Sequence, residues 1–338
     1  PFCNFVDDPK QSLHAAMKRN DAHGQLCKLF FRHLALCHTV EIERVTKRDP
    51  HTGHIQELSD PVTGKPLTTL SASSPDEQAL VAAAKYFGYE YVRNDVSNGF
   101  FRVVSVGGGS DKKGKTEEGF QIMAINEFTS KRKRMSVVVK EKKGYHLYIK
   151  GADNVIFQRL KKDNKTQNGK QKLNKHVDTL AADGLRTLVL AHKWLKQSEF
   201  EKWSESMQKV EAMADEQAKR KRQMPNLIDR TMDEIEHGVE LIGATAIEDK
   251  LQVGVPDTIA SLAIAGIKIW ILTGDKEDTA INIGFACQLL RQDMELHIVN
   301  GLTKAVDRKT GQKREKKLTP EGMLDELRKL SSQFDKFI

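Results

Sequence analysis

The feature that most constrains this chain is a run of five short apolar segments, residues 89–92, 100–106, 120–128, 134–139 and 145–149. Each is rich in β-branched and aromatic residues, which suit a pleated, half-buried surface. No helical pattern separates them, so hairpins must join them, and the spacing predicts an antiparallel sheet. Flanking segments read as helices. Residues 26–40, LCKLFFRHLALCHTV, have the apolar density and repeat of a buried helix. Residues 73–87 read as a second one: Ser74 is a natural N-cap, Pro75 suits the first helical position, and Asp76 and Glu77 fall in the positive first turn. Residues 45–70, with DPHTG and DPVTGK, read as a loop or hairpin. A helix over 172–182 stops at Gly184, a strand over 187–192 returns, and a long polar helix pair over 198–238 breaks at Pro225. Residues 1–238 therefore read as one α+β domain.

The pattern changes after Gly238. Expected strands at 239–246, 267–272 and 296–299 alternate with expected helices at 254–265 and 276–290. Alternation of this kind means βαβ units and a parallel, doubly wound α/β sheet. Three strands are few for an independent sheet, so residues 239–338 are expected to be an incomplete domain, with a charged tail after about residue 301. A chain of 338 residues accommodates two domains. Its first residues, PFCNFVDDPK, lack a starting Met and a signal-peptide pattern, and read as a processed or excised piece.

No apolar stretch approaches the ~18 residues that cross a bilayer, and the most apolar, 262–272, is broken by Gly266 and Lys268. The expectation is a soluble chain. Lys plus Arg is 54 and Asp plus Glu is 46, so the net charge is 54 − 46 = +8. That excess invites acidic partners such as nucleotides, phospholipid headgroups or nucleic acid. It collects in 161–172, 219–222 and 308–317, runs that contain no aromatic residue. Stacking on bases would want aromatics among the charges, so these runs read as solvated faces. A basic, non-enzymatic module binding RNA or anionic membrane remains the alternative reading. Cys3, Cys27, Cys37 and Cys287 form no CxxC pair and suit neither zinc nor a disulfide framework.

Residues 109–116, GSDKKGKT, satisfy the P-loop pattern GxxxxGK[ST]. A true P-loop ends at a helix whose first amides hold phosphate. Here EEGFQIMAINEF follows, with Gly119 and then a strand-like alternation. The segment is expected to be a flexible charged hairpin loop.

Five other strings carry chemistry. In SPDEQAL, Glu77 sits in a first helical turn, where a carboxylate can accept from an amino group or merely complement the helix dipole. In FTSKRKRMSV, an aromatic, a hydroxyl and several cations follow one another. On a strand Phe128, Ser130 and Arg132 would share a face, with Lys131 and Lys133 opposite unless a turn intervenes. A ring can stack on a base, whereas the plain alternative is a basic edge strand that resists aggregation. In KGAD, Lys150 is a point charge for phosphate and Gly151 would let backbone approach a ligand. In GLRTL, Arg186 could fork onto phosphate oxygens. In IKIWILTGDK, an apolar strand ends in Thr273, Gly274 and Asp275 before a helix, where α/β sheets bind ligands.

Together and in this order, these strings resemble the cytoplasmic nucleotide-binding domain of a P-type ATPase leading into its phosphorylation domain. The wording SPDE-x-AL, F-T-S-x-RKRMSV and TGDK-x-x-TAINIG, with CHTV, KGAD, GLRTL and IEDKLQ, is similar to the phospholipid-flipping, class IV branch. Asp278 departs from it conservatively, where that branch usually has glutamate. The resemblance implies an α+β nucleotide-binding domain with an antiparallel sheet flanked by helices, then a partial haloacid-dehalogenase-like segment. It implies ATP as ligand, with Phe128 stacked on adenine and Glu77 near its amino edge. Ser130, Lys133 and Lys150 would line the nucleotide and its phosphates, Arg186 and Thr187 the phosphate side, and Thr273, Gly274 and Asp275 the transferring phosphoryl group. The family's acceptor string DKTGT and its GDGxND segment do not occur in these 338 residues. The expectation is therefore a headpiece of a membrane protein, facing the cytoplasm, that binds ATP without turning it over. It would hold no catalytic residue and no metal ligand of its own, the aspartates for Mg2+ lying outside it. Phospholipid and a small membrane subunit would be partners of the parent; nucleic acid would not.

Overall fold

The computed structural model describes residues 13–48, 55–61, 64, 66–97, 99–107, 115–248, 251–273, 277–291, 294, 296, 302–306, 313–317, 319, 321–322, 324–325 and 328. It divides into two units, residues 1–250 with 273–282, and residues 251–272 with 283–338.

The first unit begins with helices α1 (Leu13–Lys18) and α2 (Ala22–Leu36). Asp21 caps α2, its carboxylate accepting the Gly24 N–H at 2.6 Å. Short strands β1 (Glu41–Arg44), β2 (Thr46–Arg48), β3 (Ile55–Glu57) and β4 (Thr68–Ser71) follow. β2 and β3 form the expected hairpin, and β1 pairs with β4. Helix α3 (Pro75–Tyr86) starts where Ser74, Pro75, Asp76 and Glu77 say it should, although the Ser74 hydroxyl makes no cap bond.

The sheet comes next: β5 (Tyr89–Asp95), β6 (Phe101–Val106), β7 (Thr116–Asn126), β8 (Arg134–Glu141) and β9 (Gly144–Gly151). All neighbouring pairs are antiparallel, as the run of apolar segments predicts. Helices α4 (Asp153–Phe157) and α5 (Asn164–Ala182) intervene before β10 (Arg186–Leu195). α5 starts eight residues earlier than expected because Asp163 caps it, accepting the Thr166 N–H at 2.7 Å. The expected helix pair is three helices, α6 (Gln197–Glu211), α7 (Ala214–Lys221) and α8 (Leu227–Ile235), with Asn226 capping the last just after Pro225.

β11 (Glu240–Ile247) then completes a seven-stranded sheet of order β11-β10-β9-β8-β7-β6-β5. This corrects one expectation. Residues 239–246 had the look of the first α/β strand, yet β11 is an edge strand lying antiparallel to β10, from Arg186 opposite Ile247 to His192 opposite Glu240. Strand–helix alternation records chain order, not pairing, and α6–α8 simply return the chain to the sheet.

Alternate residues serve two cores. Met135, Val137, Val139 and Tyr148 face α2 and α3 through Phe31, Leu34, Leu36, Leu80 and Phe87. Val138, Leu147, Ile149 and Val189 face Phe157, Val177, Phe200, Trp203, Met232 and Ile235 on the helices of the opposite side. A sheet covered on both faces explains why the central strands are apolar throughout rather than alternating.

The second unit holds α9 (Val255–Ile264) and, past its shared helix α10 (Glu277–Ala286), the hairpin β12 (Leu302–Val306) and β13 (Lys313–Lys317). Residues 267–272 form no strand, although their composition called for one. Trp270 and Leu272 are exposed instead of packed in a sheet. Residues 297–299 of the third expected strand lie outside the described residues. Among the described residues no two named strands pair in parallel. The antiparallel sheet with flanking helices is thus what the chain displays.

Candidate functional site

A cleft of about 550 Å³ opens in the first unit where the start of α3, the end of β9 and the β7–β8 turn meet. Its lining includes Thr39, Ser74, Asp76, Glu77, Phe128 and Lys150. Leu80, Met135 and Leu188 give it an apolar floor.

Lys150 lies on β9 opposite Met135, with only 5% of its surface exposed. A buried ammonium is costly unless paired. Its Nζ meets Glu77 Oε1 at 2.6 Å. Glu77 Oε2 accepts the Thr39 N–H at 3.0 Å and its hydroxyl at 2.6 Å. Burial pushes the Glu77 carboxyl up, but the Lys150 charge and the bonds from Lys150 and Thr39 outweigh it and hold the group below its usual range. These contacts take three of the roughly four lone-pair sites of a carboxylate, leaving acceptor capacity on Oε1. Burial pushes the nearby Cys37 thiol up to about 12, which disfavours its nucleophilic thiolate.

Phe128 is 58% exposed at the rim, which is unusual for a large aromatic. It is not on a strand. β7 ends at Asn126 and a turn leads to β8. Within it Thr129 O accepts the Lys133 N–H at 2.7 Å, and Lys133 adopts φ +50°. The expected shared strand face of Phe128, Ser130 and Arg132 is therefore replaced by a turn. Phe128 projects to the cleft, whereas Arg132 and Arg134 turn inward to the buried Glu236. Ser130 and Lys133 are exposed on the turn and do not line the cleft.

Gly151 lines the cleft for a reason other than close approach of a ligand. A Cβ there would lie 2.6 Å from Arg134 Cβ and 2.7 Å from Lys133 O, so it is β8 that demands glycine. Arg186 reaches Asp76 at 3.3 Å, at the edge of the cleft. Thr187 is half-buried opposite Ala246 and outside the lining. Thr273 is exposed, while Gly274 and Asp275 lie outside the described residues. The cleft thus unites Glu77, Phe128 and Lys150 with Arg186 at its edge. Sequence reading missed Thr39, Glu127 and Leu188. The string CHTV contains Thr39, but nothing in its spacing points to a carboxylate 38 residues away.

Of the P-loop-like string, Thr116 opens strand β7 rather than a helix, while residues 108–114, with the expected charged loop, lie outside the described residues. Among the described residues no group of three or more His, Cys, Asp or Glu could hold a metal ion. Nor, among them, is any helix long and apolar enough to cross a membrane.

Comparison with known proteins gives a consistent set. Residues 27–254 match the family model described as P-type ATPase, cytoplasmic domain N. The chain is 40% identical over 300 residues to probable phospholipid-transporting ATPase 11 of Arabidopsis thaliana, covering 88% of this chain and 22% of that protein. Phospholipid-transporting ATPase 10 of the same plant is 43% identical over 276 residues, 80% of this chain and 20% of its own. Phospholipid-transporting ATPase DNF2 of Saccharomyces cerevisiae is 40% identical over 290 residues, 82% of this chain and 16% of its own. The chain spans about a fifth of the length of such relatives.

Proposed function

The chain belongs to the P-type ATPase family through its cytoplasmic domain N, and from that premise we propose that it is the ATP-binding headpiece of a phospholipid-transporting ATPase. The observation that carries the proposal is the cleft that gathers Phe128, Glu77 and Lys150 from three distant strings. Phe128 supplies a plate for adenine. Glu77, with acceptor capacity left on Oε1, suits the exocyclic amine.

The charge of the lining sets the orientation of the nucleotide. Among the described residues of the lining, Glu41, Asp76, Glu77 and Glu127 stand against one cation, Lys150. A triphosphate would meet repulsion inside it, so the base enters and the phosphates point outward. Arg186 stands at the edge, and in this reading Lys133, Ser130 and Thr187, from outside the lining, would meet the phosphates, with Thr273, Gly274 and Asp275 assigned to the phosphoryl group. In this reading Mg2+ would arrive with the nucleotide, its aspartate ligands lying elsewhere in the parent. The chain positions ATP and does not turn it over.

In domain terms, the nucleotide-binding part is expected to extend through β11 rather than stop at residue 238. The remainder to residue 338 would be part of a doubly wound, haloacid-dehalogenase-like phosphorylation domain. The parent would use the phosphoenzyme cycle to move phospholipid, with a small membrane subunit as a further partner and no nucleic acid. Calorimetric titration of ATP into the chain tests this. Saturable binding, weakened when Lys150 is replaced by Met, is expected. Absence of saturable binding, or steady release of phosphate by the chain, contradicts it.

A further inference from the structure

The turn that carries Phe128 is fastened from below. Glu236 stands at the carboxyl end of α8 and is fully buried. Its Oε1 accepts from Arg132 Nη2 and, at 2.7 Å, from the Ser136 hydroxyl. Its Oε2 accepts from Arg134 Nε. Arg132 uses its other terminal nitrogen on the Glu127 carbonyl at 2.8 Å, the residue just before Phe128. Arg134 returns to the Arg132 carbonyl at 3.0 Å. On the β7 side, the Asn126 side chain donates to the Ser136 hydroxyl at 3.0 Å. Both ends of the turn therefore converge on one carboxylate about a hundred residues away in the chain.

A buried ion pair is a poor way to gain stability, since apolar side chains of similar volume commonly do as well or better. What such a network does supply is one fixed arrangement. Here the arrangement fixed is that of an exposed ring, whose position depends on the backbone of its turn. We infer that Glu236 is a positioning residue for the nucleotide, acting through Arg132 to hold Phe128 at the rim of the cleft. The inference rests on the ATP reading of the cleft and deepens it.

The test is a double-mutant cycle on the 338-residue chain, with ATP affinity as the readout. The four proteins are the unsubstituted chain, Glu236→Gln, Phe128→Ala and the double variant. Glu236→Gln is expected to weaken ATP by about fivefold, the usual size of coupling between connected residues. In the Phe128→Ala chain the same change is expected to do nothing more. A merely structural carboxylate would weaken binding equally in both backgrounds, and that result, or no loss in either, overturns the inference. Failure of the unsubstituted chain to bind ATP overturns the ATP reading first and this inference with it. Should Glu236→Gln prevent folding, Arg132→Gln leaves Glu236 bonded to Arg134 and Ser136 and must show the same dependence on Phe128. Additive losses there also overturn it.

Discussion

Lys150 and Glu77 show how much one buried pair decides. With Lys150 in place, the Glu77 carboxyl is held low despite burial. The stability it contributes is present above the usual carboxylate range and is lost as pH falls through the lower folded value. Replacing Lys150 by Met removes its charge and hydrogen bond while burial and the Thr39 bonds remain, so the Glu77 titration midpoint should rise from its folded value. Carboxyl chemical shifts against pH measure it, and an unmoved midpoint would deny the pairing. Phe128→Ala should weaken ATP by ~1–3 kcal/mol, as for other base–aromatic stacks, while the thermal midpoint stays put. An unchanged affinity removes the ring from the site. At this scale the strings holding Glu77, Phe128 and Lys150 were each ambiguous by residue type, and only their joint resemblance to the family singled them out. Thr39 was not singled out, because its partner is set by folding, and Arg132 was misdirected because a turn begins after Asn126.

Two glycines separate what elements require. At Gly151 a Cβ would press on Arg134 and on Lys133 O, so Gly151→Ala must part β8 from β9 and cost about 1–3 kcal/mol. At Gly169, inside α5, a Cβ would sit an ordinary 3.7 Å from Leu241. Gly169→Ala should therefore stabilise by roughly 0.5–1 kcal/mol through helix propensity. Urea denaturation of both variants checks the signs, and a stabilising Gly151→Ala would contradict the close strand approach. Hairpins, the start of α3 and the seven-stranded sheet's central strands could be foreseen, because Pro, Gly and β-branched residues act locally; the caps Asp21, Asp163 and Asn226 were missed, and Ser74 makes no cap bond. The place of β11 could not be foreseen, because edge pairing is decided by which strand a returning chain meets.

Within the first unit, burial holds His33, His38 and His192 neutral. Burial pulls His33 down to about 3 and His192 to about 4, and His38 falls well below its usual value. The unfolded chain therefore binds more protons than the folded one at any pH between those values and about 6.5. Stability should fall as pH drops below about 6.5, by up to ~1.4 kcal/mol per group for each pH unit. Urea midpoints from pH 8 to pH 5 test it, and a flat profile contradicts the burial. The central claim is that one cleft accepts ATP, and amide chemical shifts of the isotopically labelled chain during an ATP titration test it most directly. The account predicts saturable changes centred on Thr39, Glu77, Phe128 and Lys150. Changes confined to residues near the 109–116 string, with those four unmoved at saturation, would contradict it.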